Sequence, residues 1–157
     1  MLRSQTEEHC YINMELQRAT PSDIQTLFDI EKTTQGLKTY SRYLTEDEVR
    51  DYINNEIVFI IKKDNEIVGH ISYEIKGEKY FHLSGLVIKP EFQRQGLAKE
   101  AISKLLEIIG DYKTIDLTVH PENPATNLYK SFGFTIKERI ENYFGDGEPR
   151  LRMALEK

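Results

Sequence analysis

The tightest constraint on the fold is a strand, a loop and a helix that follow one another between residues 86 and 110. Leu86–Ile88 is an apolar, β-branched run typical of the end of a buried strand, and Pro90 stops further pairing because it has no N–H to donate. From Leu97 the apolar residues recur with helical spacing as far as Gly110, a residue favoured just after a helix. The sequence therefore predicts a β-strand that turns directly into an α-helix.

The loop between this strand and helix has the features of an anion-binding site. The first N–H groups of a helix lack intrahelical acceptors, and the helix dipole adds partial positive charge there. Gly96 has no side chain and Ala98 only a methyl group, so a diphosphate could approach the backbone, while Arg94 and Lys99 add full charges. The glycine spacing matches neither a P-loop nor a dinucleotide-binding loop. An ordinary strand–helix turn that binds nothing is the alternative.

Two segments of the chain resemble a known family. Residues 93–98 match the Q/R-x-x-G-x-G/A signature of the GNAT N-acetyltransferases, which bind acetyl-CoA, and the run before them is similar to that family's fourth strand. Residues 123–134 resemble the family's N-x-x-A-x-x-L-Y-x-x-x-G-F pattern, with these residues in register: Ala125, Leu128, Tyr129, Gly133 and Phe134. On both motifs the chain is identified as a member of the GNAT superfamily, closest to RimI-type bacterial acetyltransferases.

The resemblance implies which residues would hold acetyl-CoA, the expected co-substrate. Backbone groups of the fourth strand would pair with the pantetheine arm, and an N–H there would polarise the thioester carbonyl; the corresponding residues are Leu86, Val87 and Ile88. The diphosphate would lie on the signature loop, which consists of Gln93, Arg94, Gln95, Gly96, Leu97, Ala98 and Lys99. Asn123, one position out of the family's register, is a further candidate for a cofactor contact.

Acetyl transfer to an amine needs a base, because an ammonium ion has no lone pair, and an acid for the departing sulfur. Tyr129 corresponds to the family's tyrosine acid, and a tyrosine with a pKa of about 10 is protonated at neutral pH. RimI-type enzymes carry a glutamate where this chain has Thr118, which cannot act as the base. The candidate bases are His120, predicted on the strand face of Thr118, and His82, where histone-acetyltransferase relatives have a catalytic glutamate. A base acting through a water chain is the alternative.

The order of predicted elements defines the fold class. Strand, two helices, a three-strand meander, helix, strand, helix and a final hairpin follow over residues 14–155, with the hairpin at 135–144 and 149–155. This order predicts an α/β fold, a mixed α+β sandwich. The resemblance implies the GNAT acyl-CoA N-acyltransferase fold with a seven-stranded, mostly antiparallel sheet and about four helices. One domain is expected at 14–157, after a short polar N-terminal extension at 1–13.

Composition excludes several classes of protein. A net charge of −5 over 157 residues gives no support to nucleic-acid binding, which requires a basic stripe. The single cysteine, Cys10, excludes an internal disulfide and a cysteine-ligated metal site, and no metal is expected. No apolar run reaches membrane-spanning length and the first residues lack a signal-peptide core, so a cytoplasmic protein without a membrane partner is expected.

Together these features predict an acetyl-CoA-dependent N-acetyltransferase that acts on a primary amine by direct attack in a ternary complex. The acceptor is either a small amine or a protein N-terminus. Aromatic side chains with acids nearby would suit a cationic amine, and the candidates for them are Tyr40, Tyr43, Tyr143 and Phe144. The alternative from another class is a non-catalytic acyl-CoA-binding or regulatory module of the same fold. A homodimer remains an open alternative to a monomer.

Overall fold

The computed structural model describes residues 13–40 and 45–157. Cys10, Tyr43 and all but the last residue of the expected extension lie outside these ranges. The described elements are, in chain order, β1 (Met14–Arg18), α1 (Ile24–Lys32), α2 (Glu46–Asn55), β2 (Ile57–Lys63), β3 (Glu66–Gly77), β4 (Tyr80–Ile88), α3 (Leu97–Ile109), β5 (Thr114–Val119), α4 (Ala125–Ser131), β6 (Thr135–Ile140) and β7 (Arg150–Glu156). No helix in these ranges is long and apolar enough to cross a bilayer.

Local sequence signals account for most element boundaries. Thr45 caps α2, because its hydroxyl accepts the Glu48 N–H at 3.1 Å. α3 begins at the predicted residue and ends just before Gly110, which has a φ of 72°. The predicted strand at 135–144 is too long: β6 ends at Ile140. The chain turns there because the side chain of Asn142, itself at a φ of 50°, accepts a backbone N–H from within the hairpin loop.

The sheet has seven strands in the order β1-β2-β3-β4-β5-β7-β6. Its strands pair antiparallel except for β4 and β5, which are parallel. That parallel pair is short: it joins Tyr80–His82 only to Thr114–Asp116. In the same region β4 contains a bulge opposite β3, with Ser84 as the extra residue. Beyond His82 the two central strands therefore separate and leave a cleft in the middle of the sheet.

Hydrophobic cores cover both faces of the sheet. α3 and α4 pack on one face with Leu97, Ile102 and Leu105 fully or almost fully buried. α1 and α2 pack on the other face, around Leu27 and Val49. The predicted fold class is confirmed: a mixed α/β sandwich with a seven-stranded, mostly antiparallel sheet and four α-helices among the described residues.

Burial within α3 predicts a difference between two isoleucines of the same helix. Ile102 is 0% exposed and Ile108 is 47% exposed. Ile102→Ala should lower the free energy of unfolding by about 2–5 kcal/mol, because it removes buried methyl groups and leaves a cavity. Ile108→Ala should change it by less than about 0.5 kcal/mol. Urea denaturation followed by circular dichroism measures both, and equal effects would contradict the assigned face of α3.

Candidate active site

A pocket of about 470 Å³ opens where β4 and β5 separate. Its floor is β4 from His82 to Val87, with Thr118 of β5 beside it. The side walls come from the end of α1, the segment after it, α2, and the β6–β7 hairpin with Tyr143 and Phe144. Tyr129 of α4 reaches the pocket from the opposite face of the sheet. The cleft thus joins the two layers of the sandwich at one place.

The backbone of β4 is open on the side that faces the cleft. Val87 turns its carbonyl oxygen to β3, where a Cβ added to Gly69 would lie only 2.0 Å from it, and the Lys89 N–H donates to Val68 of β3 at 2.8 Å. Because backbone groups alternate along a strand, those of Leu86 and Ile88 face the cleft instead. Of the three predicted pantetheine contacts, Leu86 and Ile88 therefore present outward-facing backbone, and Val87 does not.

The signature loop leaves the start of α3 uncapped. Gly96 has a φ of 80° and no side chain caps the helix, whose first intrahelical bond runs from Glu100 N to Gly96 O at 3.1 Å. The N–H groups of Leu97, Ala98 and Lys99 precede that bond. These are the free amides that an anion site requires.

Some side chains of the signature loop bond to the sheet, and others extend into solvent. The Gln93 amide donates to Ile88 O at 3.0 Å, and Gln95 accepts from Lys63 at 2.7 Å, so both fix the loop to the sheet. Arg94 and Lys99 are exposed, while Leu97 is 1% exposed and fills the core. The two cations are therefore the side chains of this loop that can reach an anion from solvent.

Tyr129 is buried beside the pocket. It is 5% exposed, and its ring packs edge-on against Phe134 with the centroids 5.7 Å apart. Burial, with a smaller contribution from Tyr40, raises the pKa of Tyr129 well above its ordinary value. The hydroxyl therefore stays protonated over the whole neutral range.

The Asn123 side chain is hydrogen-bonded to the backbone at the start of α4. Its Oδ1 accepts the Ala125 N–H at 2.9 Å, which caps the start of the short helix. The Asn123 side chain also interacts with the hydroxyl of Tyr40, whose pKa is raised by burial and lowered in part by this amide. Asn123 lines the pocket, but its side-chain oxygen is already engaged with the chain itself.

His82 and Asp116 form a pair at the last point where β4 and β5 are bonded. The His82 Nδ1 lies 2.6 Å from Asp116 Oδ1, and since a carboxylate only accepts, Nδ1 carries the proton. Asp116 also accepts from Tyr80 at 2.5 Å and lies 3.5 Å from the guanidinium of Arg152. The hydrogen bond from Tyr80 to Asp116 raises the pKa of the Tyr80 hydroxyl. The remaining nitrogen of His82, Nε2, has no hydrogen bond among the described residues.

His120 lies one residue beyond the end of β5, which ends at Val119. The His120 Nδ1 accepts the Glu122 N–H at 3.0 Å, and Nε2 lies 3.0 Å from Glu148. His120 is 2% exposed and, within the described part of the chain, is not among the residues that line the pocket. The structure thus brings together His82 and Tyr129, not His120.

A second polar network lies on the other side of the pocket and was missed in the sequence. Glu31 Oε1 lies 2.6 Å from His70 Nε2, and His70 Nδ1 lies 3.1 Å from the hydroxyl of Tyr52. Tyr52 donates to Ser72 Oγ, which lies 2.9 Å from Ser84 Oγ. The signal for it was the alternation of polar His70 and Ser72 with apolar residues along β3, which places both on one strand face.

Across residues 13–40 and 45–157, no three His, Cys, Asp or Glu side chains come together as a set that could hold a metal ion. Each of the two imidazoles that line the pocket pairs with one carboxylate: His70 with Glu31, and His82 with Asp116.

Comparison with known proteins agrees with the fold and the cleft. The family model described as an acetyltransferase (GNAT) domain matches residues 28–157. The chain therefore belongs to the GNAT acetyltransferase family, as the two sequence motifs predicted.

Several similar proteins are named as acetyltransferases. The chain is 32% identical over 97 residues to the N-terminal acetyltransferase B complex catalytic subunit NAA20 of Arabidopsis thaliana, a match over 57% of this chain that spans only 55% of that protein. It is 23% identical over 154 residues to an N-alpha-acetyltransferase of Sulfurisphaera tokodaii, over 88% of this chain and 90% of that protein. The ribosomal-protein-S18-alanine N-acetyltransferase structure from Escherichia coli superposes with a TM-score of 0.75 at 20% identity, covering 91% of this chain and 93% of that one.

Close packing of β3 against β4 predicts the effect of adding one methyl group. At Gly69 a Cβ would lie 2.0 Å from Val87 O, whereas at Gly77 of the same strand the nearest atom lies at 3.9 Å. Gly69→Ala should destabilise the fold by about 1–3 kcal/mol or more, because backbone must move. Gly77→Ala is the matched control and should stay within about 0.5 kcal/mol of the unmodified chain. Thermal or urea denaturation compares the two variants. If Gly69→Ala left the free energy of unfolding unchanged, β4 would not be packed against β3 as described.

Proposed function

We propose that this chain transfers an acetyl group from acetyl-CoA to a primary amine by direct attack in a ternary complex. The observation that carries the proposal is the cleft between β4 and β5. Its strand β4 leads to an uncapped helix start, and its pocket is lined by a buried tyrosine and by a histidine that is bonded to Asp116. An anion site, an open strand edge, a base and an acid are the parts that this reaction needs.

The open backbone fits the shape of acetyl-CoA. The amides of Leu97, Ala98 and Lys99, with Arg94 and Lys99 as cations, would hold the diphosphate. The outward backbone groups of Leu86 and the N–H of Ile88, whose oxygen already accepts from Gln93, would pair with the pantetheine arm, and one of the N–H groups would stabilise negative charge on the carbonyl oxygen. Asn123 and Gln93 would support these contacts indirectly, since each is already bonded within the chain. Acetyl-CoA itself would supply the activated acyl group.

His82 is the group we assign as the base. With Nδ1–H held by Asp116, its Nε2 can accept a proton from the amine, and the carboxylate stabilises the imidazolium that forms. Both nitrogens of His120 are engaged away from the pocket, so His120 is the weaker candidate. Thr118 lies in the pocket wall and offers no basic group.

Tyr129 is the group we assign as the acid. Its raised pKa keeps the proton on the hydroxyl, where it is available to the sulfur as the thiol leaves. Its position in the pocket wall on the α4 side, away from the acids of α1 and α2, suits a donor to the leaving group.

The acceptor pocket favours a cation. Its lining includes the side chains of Glu31, Glu48, Glu56 and Glu74, and the aromatic rings of Tyr143 and Phe144. Both carboxylates and the faces of aromatic rings attract an ammonium group electrostatically. The names of the relatives, N-terminal and N-alpha-acetyltransferases, support a protein N-terminus as the acceptor, and a small amine fits the same chemistry.

Removing the proposed acid should separate catalysis from binding. Tyr129→Phe should lower kcat by about 10²-fold or more while leaving the dissociation constant for acetyl-CoA unchanged, because only a proton is lost. Thiol release is followed with acetyl-CoA and a panel of spermidine, glycinamide and tetrapeptides that begin with Met or Ala. Tyr112→Phe, which removes a hydroxyl from another partly buried ring outside the pocket, is the control.

Two outcomes of this assay would count against the proposal. Full activity of Tyr129→Phe would remove this residue from the mechanism. Binding of acetyl-CoA with no thiol release from any amine of the panel would favour the non-catalytic acyl-CoA-binding module.

A pair of histidine variants distinguishes the bases. His82→Gln should lower kcat/KM by about 10²-fold, because the proton acceptor is lost. His120→Gln should lower it by less than about tenfold once the folded fraction is matched by circular dichroism. The reverse order of effects, with the acid limb of the pH–rate profile lost only in His120→Gln, would assign the base to His120.

A further inference from the structure

The proposed function assigns no role to the second polar network, the one that runs from Ser84 to Glu31. Ser84, in the bulge of β4, lines the pocket next to His82 and begins a chain of hydrogen bonds through Ser72, Tyr52 and His70. The chain ends at Glu31, which reaches the pocket wall again at another point. Its inner members are 0–3% exposed. Polar groups buried in a sheet face cost stability relative to apolar ones unless every bond is made, so the network calls for a functional reason.

One consistent arrangement of donors along the chain is a loaded state. When Tyr52 gives its proton to Ser72, its oxygen accepts from His70, and the His70 Nδ1 carries a proton. Nε2 and Glu31 then share one further proton, and the pair is neutral overall. Ser72 in turn donates to Ser84, whose own proton is left for the pocket.

Removing one proton reverses each bond between His70 and Ser84. His70 would keep its proton on Nε2 toward the Glu31 carboxylate, and Tyr52 would donate to Nδ1. Ser72 would donate to Tyr52 and Ser84 to Ser72, so that a lone pair of Ser84 faces the pocket. The chain therefore has a loaded state that donates into the pocket and an unloaded state, one negative charge richer, that accepts from it.

We propose that this chain is a proton relay which removes the first proton from the ammonium form of the acceptor. The inference rests on the proposed function. Acetylation takes two protons from an ammonium nitrogen, one before attack and one when the adduct collapses, and His82 can account for only one of them at a time. The relay lies on the side of α1, α2 and β3, which also carries the acids of the pocket, so it faces the incoming cation.

The transfer balances in atoms and charge. An N–H bond of the ammonium breaks and an O–H bond forms at Ser84, while the existing hydroxyl protons of Ser84, Ser72 and Tyr52 each move one place inward. The last N–H bond forms at His70 Nδ1. A cation and an anionic relay become a neutral amine and a neutral relay, which is then in the loaded state. The proton then leaves through Glu31, which also lines the pocket.

Other titratable groups line the same pocket as the His70–Glu31 pair. Glu48 and Tyr52 belong to α2 and Glu56 follows it, Glu74 lies on the strand of His70, Tyr40 follows α1, and His82 and Arg150 belong to β4 and β7. The three glutamates of this set draw the ammonium toward Ser84.

The pH dependence of Tyr52→Phe tests the relay, because phenylalanine keeps the ring and breaks the chain at one oxygen. With the panel amine that the unmodified enzyme acetylates fastest, kcat/KM of Tyr52→Phe should be about 10²-fold lower at pH 7. The deficit should disappear as the pH rises past the pKa of the amine, which then arrives without the extra proton. The loss of kcat/KM in His82→Gln should persist above the pKa of the amine, because the proton of the tetrahedral adduct must still be removed from the nitrogen. Tyr112→Phe, as before, should match the unmodified enzyme.

Variants at Ser84, the residue of the relay that lines the pocket, provide a second test. Ser84→Ala should reproduce the pH-dependent loss, and Ser84→Thr, which keeps a hydroxyl, should restore most of the rate. A deficit of the same factor at every pH would show a structural network and overturn the relay, as would an unchanged profile. Absence of acetylation of every panel amine by the unmodified enzyme would instead overturn the proposed function, and the relay with it.

Discussion

The separation of β4 and β5 is the constraint on which the rest of the molecule depends. Parallel strands in a sheet normally bond along their whole shared length, but here the bonds stop at His82 and Asp116. Backbone groups that face a gap in a protein must find partners elsewhere, from water or from a ligand. From this gap β4 leads through residues 89–96 to the start of α3, where helix amides also lack intrahelical partners. The chain thus carries two sets of backbone donors that lack partners within a helix or between β4 and β5.

The same separation produces the chemistry of the pocket. The last bonded position of the parallel pair brings the imidazole of His82 against the Asp116 carboxylate, so the proposed base lies where the two strands begin to separate. The bulge at Ser84 turns a hydroxyl toward the same space and connects it with the interior of the other layer. Tyr129 closes the cleft from the opposite face. Under the proposed function, each proton that moves in the reaction has a partner placed by sheet geometry.

Elements set by local signals were predictable from the sequence, whereas contacts between distant residues were not. The bounds of α3 followed from helical spacing and from Gly110, and the family from two short motifs. The His82–Asp116 pair could not be foreseen, because it depends on the register of two strands whose residues lie 34 positions apart. The hydrogen bonds of His120 to Glu122 and Glu148 were equally beyond the sequence, because they depend on how the loop after β5 meets the β6–β7 hairpin. The polar alternation in β3 was visible, but its partners on α1 and α2 came only with the fold.

The most direct test of the central claim is a titration of the ¹⁵N-labelled chain with acetyl-CoA, followed by amide NMR spectra. The account predicts saturable shifts that are largest for the amides of residues 96–99 and for Leu86 and Ile88, the two backbone sites that the cleft exposes. Amides of the outer strand β6 should stay unchanged. A titration that leaves the start of α3 unaffected, or that moves only residues away from the cleft, would contradict it.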